Sequence, residues 1–534
     1  MLNKNLMIQG TGSHVGKSIL VCALCRILRQ DGYSVAPFKA QNMSLNSFVT
    51  RDGKEMGRAQ VVQAEAAGIT PVAEMNPILL KPTGDAGSQV VVMGKPIGNM
   101  TAKEYYQKKN EFVSVIQHAY DTLRNRFDIV LIEGAGSPAE INLKDGDIVN
   151  MGMARMASAP VLLVTDIDRG GAFAWIVGTL ELLSADERDL VKGIIFNKFR
   201  GDKGILKPGL DMLGERIKKP VAGVIPYIHD LGIDDEDSVT LEYDRNSKFY
   251  QIEDILKSLP DEEGVKEGGG TWKGNSSNGF IDIAVIKLPR ISNFTDFTTF
   301  AHEKGVRLRF VDKVRDIGKP DLLIIPGTKN TIEDLISLKE RGIFDEIVRL
   351  SRDRILIMGI CGGYQMLGCQ INDPYHIESS KSSIQGLGLL NTITTFAREK
   401  QTYQVRIQIL EHMGLFHMDG ELTGYEIHMG ETIYHGHNAF KPFGKIIERA
   451  GKAVDIMDGC VSDNGNVLGT YIHGIFDNDE FRSKLIHYLE MKKGLRTSAG
   501  YRDFKNIKEQ KYDELAGIVR RNIHMDMIYE ILQV

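Results

Sequence analysis

The stretch LMIQGTGSHVGKSILVCALCRIL near the start constrains this chain more than any other. An apolar run reads as a strand, a turn carries Gly10, Gly12 and Gly16, and a second apolar run reads as a helix. Glycines at a strand–helix junction let successive backbone N–H groups point at one anion. Lys17 adds a cation beside the terminal phosphates, and Ser18 opens the helix with a hydroxyl suited to Mg2+. The order departs from G-x-x-x-x-G-K-[ST]: Thr11 stands at the first position and Gly10 one earlier. A tight turn with a solvated lysine is the alternative. Strand, glycines, Gly-Lys-Ser and helix in this order favour a phosphate loop.

A phosphate loop implies an α/β sheet, and the rest of the first half fits. Apolar runs at Leu6–Gln9, Ser34–Phe38, Asp128–Ile132, Pro160–Thr165, Gly193–Asn197 and Val221–Ile225 predict strands of a mostly parallel sheet. Ligands of such sheets sit at the carboxyl ends of the strands. Residues 259–279, rich in Gly, Ser, Asn and charge, read as a linker. The pattern then restarts at Ile281–Lys287, Arg307–Val311, Asp321–Ile325, Arg354–Met358 and Leu468–Ile472. We therefore expect a phosphate-loop domain over 1–258, a second α/β domain over 280–490 and a helical C-terminal extension over 491–534. A length of 534 residues suits two or three domains.

Composition excludes several classes. With 42% hydrophobic and 25% charged residues and a formal charge of −5, the chain carries no electrostatic footprint for nucleic acid or an anionic membrane. No signal peptide and no membrane-spanning run is evident, which predicts a cytoplasmic protein. Five scattered cysteines argue against a disulfide framework. Cys22 and Cys25 form one C-x-x-C, but within an apolar helical run, so they read as core thiols.

Further acidic and basic groups cluster at predicted strand ends. Glu133 closes the strand before Gly-Ala-Gly, where a carboxylate is a candidate for holding Mg2+ or for capping a turn. VTDIDRGG presents Asp166, Asp168 and Arg169, suited to metal or to substrate carboxylates. Lys39 follows SVAPF, either to neutralise a transferring phosphoryl group or as a solvated lysine.

The second half contains RILIMGICGGYQMLG, an apolar strand running into Cys361 between glycines and then a helix. That is the nucleophile-elbow arrangement, and a helix start favours a thiolate. The N–H of Gly362 is placed to donate to an oxyanion, and Gly327, in a turn after a strand, is a second candidate donor. A thiolate needs an acid/base partner. His473, in NVLGTYIHGIF, and His428, in GYEIHMGET, both qualify on position alone.

These residues, with FKAQNMSLNS, GRAQVVQAEAAG, MNPILLKP, LIEGAGSPAEINL, DIDRGGAFA, NKFRGD and YEIHMG, resemble the cobyric acid synthase family over essentially the whole chain. The first half is similar to dethiobiotin synthetase and the second to class I glutamine amidotransferases. The resemblance implies that glutamine is hydrolysed at Cys361 through a thioester, with His473 as base and Gly362 and Gly327 as oxyanion donors. It implies an ATP site at Gly12, Gly16, Lys17, Ser18, Lys39 and Asn197, and Mg2+ on Ser18 and Glu133. It further implies that ATP activates corrinoid carboxylates as acyl phosphates, and that ammonia converts four of them (b, d, e and g) to amides. The substrates are small molecules, including a cobalt corrinoid, and a homo-oligomer is compatible. Many class I enzymes carry Glu two residues after the base; Ile475 stands there, so the third member of a triad is another group or absent. A corrinoid a,c-diamide synthase or another ATP-dependent amidotransferase would share the chemistry, while FKAQNMSLNS favours the cobyric acid branch. A partitioning-type ATPase with a degenerate glutaminase would carry a second lysine early in its loop, which this chain lacks.

Overall fold

β1 (Lys4–Gly10) runs straight into the glycine turn and α1 (Lys17–Gln30) in the computed structural model, which describes residues 4–83, 87–228, 232–233, 279–410, 420–436, 439–495 and 502–534. The linker expected at 259–279 lies outside these residues up to its last position. The described chain forms two compact units, Met1–Glu236 with Lys505–Val534, and Asp237–Phe504.

In the first unit β1 is joined by β2 (Val35–Phe38), β3 (Ile129–Glu133), β4 (Val161–Asp166), β5 (Val191–Phe199) and β6 (Val221–Pro226). They form one six-stranded sheet in the order β6-β5-β4-β1-β3-β2, parallel throughout. The buried runs of β1, β3 and β4 face water on neither side, as strands of a two-faced parallel sheet must. On one face Leu6 and Ile8 pack with α1; on the other Met7 packs with Val161, Leu163 and Met151. Cys22 and Cys25 are buried on α1, and burial pushes the Cys22 thiol up to about 12, so the C-x-x-C is core.

Between β2 and β3 the chain builds a small sheet that the apolar pattern did not predict. Its strands are Gln41–Met43, Ile78–Pro82, Gly87–Val92 and Lys95–Thr101. The chain's last helices, Phe504–Asn522 and Met525–Leu532, also pack on the first unit. Tyr512, Leu515, Ala516 and Val519 present one face at helical spacing to the core beneath α1. Buried Arg26 of α1 pairs with Glu509 and Asp513, each at 2.7 Å.

The second unit is centred on another largely parallel sheet. β7 (Ile281–Ile286), β8 (Val306–Val311), β9 (Leu322–Ile325), β10 (Leu356–Ile360) and β11 (Val467–Thr470) lie in the order β8-β7-β9-β10-β11, with Cys460–Val461 antiparallel at the edge. A second sheet, again unpredicted, carries the long hairpin Thr392–Ile409 and Glu421–Tyr434 and the strands Gly444–Arg449 and Lys452–Asp458. No helix among the described residues is long and apolar enough to cross a membrane.

Candidate active site

The phosphate loop forms because Gly16 adopts φ 99° immediately before α1, a conformation that costs a side chain but not glycine. A Cβ there would also strike the Asn197 amide, whose Nδ2 donates to Val15 O at 2.8 Å. Asn197, at the carboxyl end of β5, thus braces the loop from the side. Lys17 Nζ reaches back over it to Gly12 O at 2.9 Å and Gly136 O at 3.1 Å. The space above Gly12 and Gly136 is open, with nothing within 4 Å of a Cβ built on either.

Three residues that the sequence placed separately meet at one carboxylate. Glu133, fully buried at the end of β3, accepts from Ser18 Oγ at 2.7 Å and from Lys39 Nζ at 2.8 Å on Oε1. Gln63 Nε2 donates to its other oxygen at 2.6 Å. Parallel neighbours β2 and β3 end at the same edge, which is why Lys39 and Glu133 come together. Ser18 and Glu133 are both hard oxygen donors side by side at one sheet edge, a donor chemistry that suits Mg2+. Asp166 and Asp168 are engaged otherwise. Asp166 binds Lys198 at 2.8 Å and faces Arg169 at 3.6 Å, and Asp168 binds Arg200 at 3.0 Å.

In the second unit Cys361 caps the short helix Gly362–Leu367 with φ 52° and ψ −108°. That strained backbone in a non-glycine residue is the mark of a sharp elbow that lifts a side chain out of the turn. A Cβ on Gly363 would run into the Ile325 carbonyl, so only glycine allows the elbow to lie this close to β9. Cys361 Sγ approaches Ile427 O at 3.6 Å. Gly327 lies against His473, a Cβ on it standing 3.0 Å from Cε1, and Gly362 lies against Thr328 and Thr331. Gly362 follows Cys361 directly in the chain, and Gly327 lies beside His473.

His473 is buried and paired with Asp296, and the charges of Asp296 and Cys361 both act on its ring. Nδ1 is 2.6 Å from Asp296 Oδ2, and Asp296 Oδ1 accepts the Gly474 N–H at 3.2 Å. Burial opposes an imidazolium here, but the charges of Asp296 and Cys361 outweigh it and push His473 up to about 10. Tyr425 stacks on the ring at 5.3 Å. His428 takes no part in this pairing: it stacks on Tyr471 at 3.7 Å, with Nδ1 3.2 Å from Gly430 O.

Asp296 is the residue that sequence reasoning missed. It belongs to the 3-10 segment Phe294–His302, 177 residues before the histidine. Ile475, at the position where many class I enzymes carry Glu, is buried in the core instead.

Comparisons with known proteins agree with this division. Residues 6–241 match the model described as the CobQ/CobB/MinD/ParA nucleotide binding domain, and residues 282–481 the CobB/CobQ-like glutamine amidotransferase domain. The chain is 50% identical over 527 residues to a cobyric acid synthase of Clostridium tetani, covering 99% of this chain and 98% of that one. It is 51% identical over 532 residues to one of Alkaliphilus metalliredigens, covering 99% of each, and 50% identical over 531 residues to one of Thermoanaerobacter sp., covering 99% and 98%. At this identity over nearly the full length of both chains, the protein belongs to the cobyric acid synthase family.

Proposed function

We infer that the chain is a glutamine-hydrolysing amide synthase that converts the b, d, e and g carboxylates of adenosylcobyrinic acid a,c-diamide to amides, giving adenosylcobyric acid. The observation that carries the glutaminase half is the buried His473–Asp296 pair, whose ring feels the charge of Cys361 at a strained elbow. The Cys361 thiolate attacks the glutamine side-chain carbonyl, and the charge on its oxygen falls between the N–H groups of Gly362 and Gly327. His473 gives its proton to the departing ammonia and then takes one from the water that cleaves the thioester, releasing glutamate. Asp296 fixes the tautomer and orientation of His473.

The synthetase half rests on the junction of Ser18, Lys39 and Glu133 at one sheet edge, with Lys17 folded over the adjoining glycine loop. The γ-phosphoryl group of ATP passes to a corrinoid carboxylate oxygen, leaving ADP and an acyl phosphate, from which ammonia displaces phosphate. Lys17 and the loop N–H groups hold the phosphates, Lys39 faces the transferring group, and Asn197 keeps the loop in shape. Ser18 and Glu133 would hold Mg2+, which when bound neutralises phosphate charge. Producing ammonia within the same protein raises its effective concentration at a short-lived intermediate.

Mass spectrometry of adenosylcobyrinic acid a,c-diamide incubated with the protein, ATP, Mg2+ and amide-15N glutamine tests the reading. Four successive 15N amidations are expected. Glutamine hydrolysis with no change in the corrinoid would remove the substrate assignment and keep the glutaminase.

A further inference from the structure

Four large apolar side chains stand exposed on segments that lead into the synthetase site: Met43 at 53%, Tyr106 at 42%, Ile141 at 61% and Leu143 at 49%. They come from three separate segments, yet hydrogen bonds draw those segments together. Lys39 and Glu133 join the chain after β2 to the end of β3. Two residues after Lys39, Gln41 accepts from Tyr105 Oη at 2.6 Å, and Met43 follows on the same strand. The next tyrosine, Tyr106, donates to Asp145 O, just beyond the 3-10 turn Ile141–Leu143. That turn belongs to the loop whose Gly136 carbonyl receives Lys17. Exposed apolar residues are ordinary when scattered, whereas a gathered set beside a reaction site marks a binding surface. Cations accompany them: Lys103 lies one helical turn before Tyr106, and Lys109 Nζ is 5.7 Å over the Tyr106 ring.

Resting on the function proposed above, we propose that these segments form the docking surface for the corrin macrocycle, with Met43, Tyr106, Ile141 and Leu143 against the ring and Lys103 and Lys109 toward its carboxylates. A corrinoid at this stage is a flat apolar disc with anionic arms around its edge, which suits apolar side chains with Lys103 and Lys109 beside them, the same segments also carrying Glu104, Glu140 and Asp145. The surface also answers a problem set by the reaction. One phosphoryl-transfer site must reach four carboxylates at different points of one ring. Apolar contact is non-directional, so the ring can be held in several rotational settings and present each arm in turn. A pocket of fixed hydrogen bonds would favour one setting.

The test is equilibrium dialysis of the full-length protein with adenosylcobyrinic acid a,c-diamide, comparing the unaltered chain with the double variant I141D/L143D and, on a separate segment, with Met43→Asp. All three sites are exposed, so the fold is retained, and ATP binding and glutaminase rate report that directly. Corrinoid binding at least tenfold weaker in both variants, with those two controls unchanged, is the expected result. Undiminished corrinoid binding overturns the docking surface and leaves the synthase reading standing. The same holds if the variants change only the sedimentation of the protein, which would make the surface an interface between copies. Failure of the unaltered protein to bind or amidate the corrinoid overturns the synthase reading itself, and the docking proposal with it.

Discussion

Asp296 and Glu133 both organise a reactive group from behind, yet only one could be read in the sequence. Glu133 ends an apolar strand before a glycine turn, and parallel topology brings every such strand end to one edge. Its neighbours Ser18 and Lys39 were legible for the same reason, although their convergence on a single oxygen was not. Asp296 lies in a short irregular segment whose approach to His473 depends on tertiary packing alone. Ile475 disposes of the usual position by filling the core. Replacing Asp296 with Asn removes the charge that holds the imidazolium. Glutaminase kcat should fall roughly 10²–10⁴-fold, the scale of acid–base catalysis. The imidazolium is present below about pH 10 in the intact protein and is lost as pH rises through that value. The variant's basic limb should therefore move to lower pH, and an unchanged pH–rate profile would show that Asp296 does not act through His473. Glu133→Gln leaves the buried Lys39 cation without its carboxylate. We expect ATP-dependent amidation to be lost, glutamine hydrolysis to persist, and stability to drop by about 3–5 kcal/mol in denaturant titration.

At the scale of elements, the parallel strands were legible because they are short, mostly apolar and followed by helical runs. The antiparallel sheets were not. Thr392–Ile409 mixes Thr, Gln, Lys and Arg along a strand that is buried only in part, so neither helical nor alternating periodicity stands out. The C-terminal helix Phe504–Asn522 was legible as a helix, but not by its partner. Its contacts with Arg26 and Glu65 span 483 and 443 residues of sequence, and a polar helix does not announce which unit will bury its apolar face. Leu515 sits fully inside that face. Leu515→Ala should lower the stability of the nucleotide-binding unit by about 2–5 kcal/mol, measured by denaturant titration with and without ATP. A negligible change would mean that the helix is not part of that unit's core.

At the scale of the whole molecule, the chain leaves its first unit, builds a second and returns to complete the first. The expected order of domain, linker, domain and extension follows the sequence linearly and has no means of showing such a return. Each unit nevertheless holds its own cluster of reactive groups: phosphate loop, carboxylate and lysines in one, thiol, imidazole and carboxylate in the other. The central claim is that these two chemistries are joined only by ammonia. Cys361→Ala tests it most directly, by measuring corrinoid amidation with glutamine and, separately, with ammonium salts at alkaline pH, where NH3 is plentiful. The account predicts no amide from glutamine and near-normal, ATP-dependent amidation from ammonium. Amidation from glutamine at the unaltered rate, or loss of both activities in a folded variant, would contradict it.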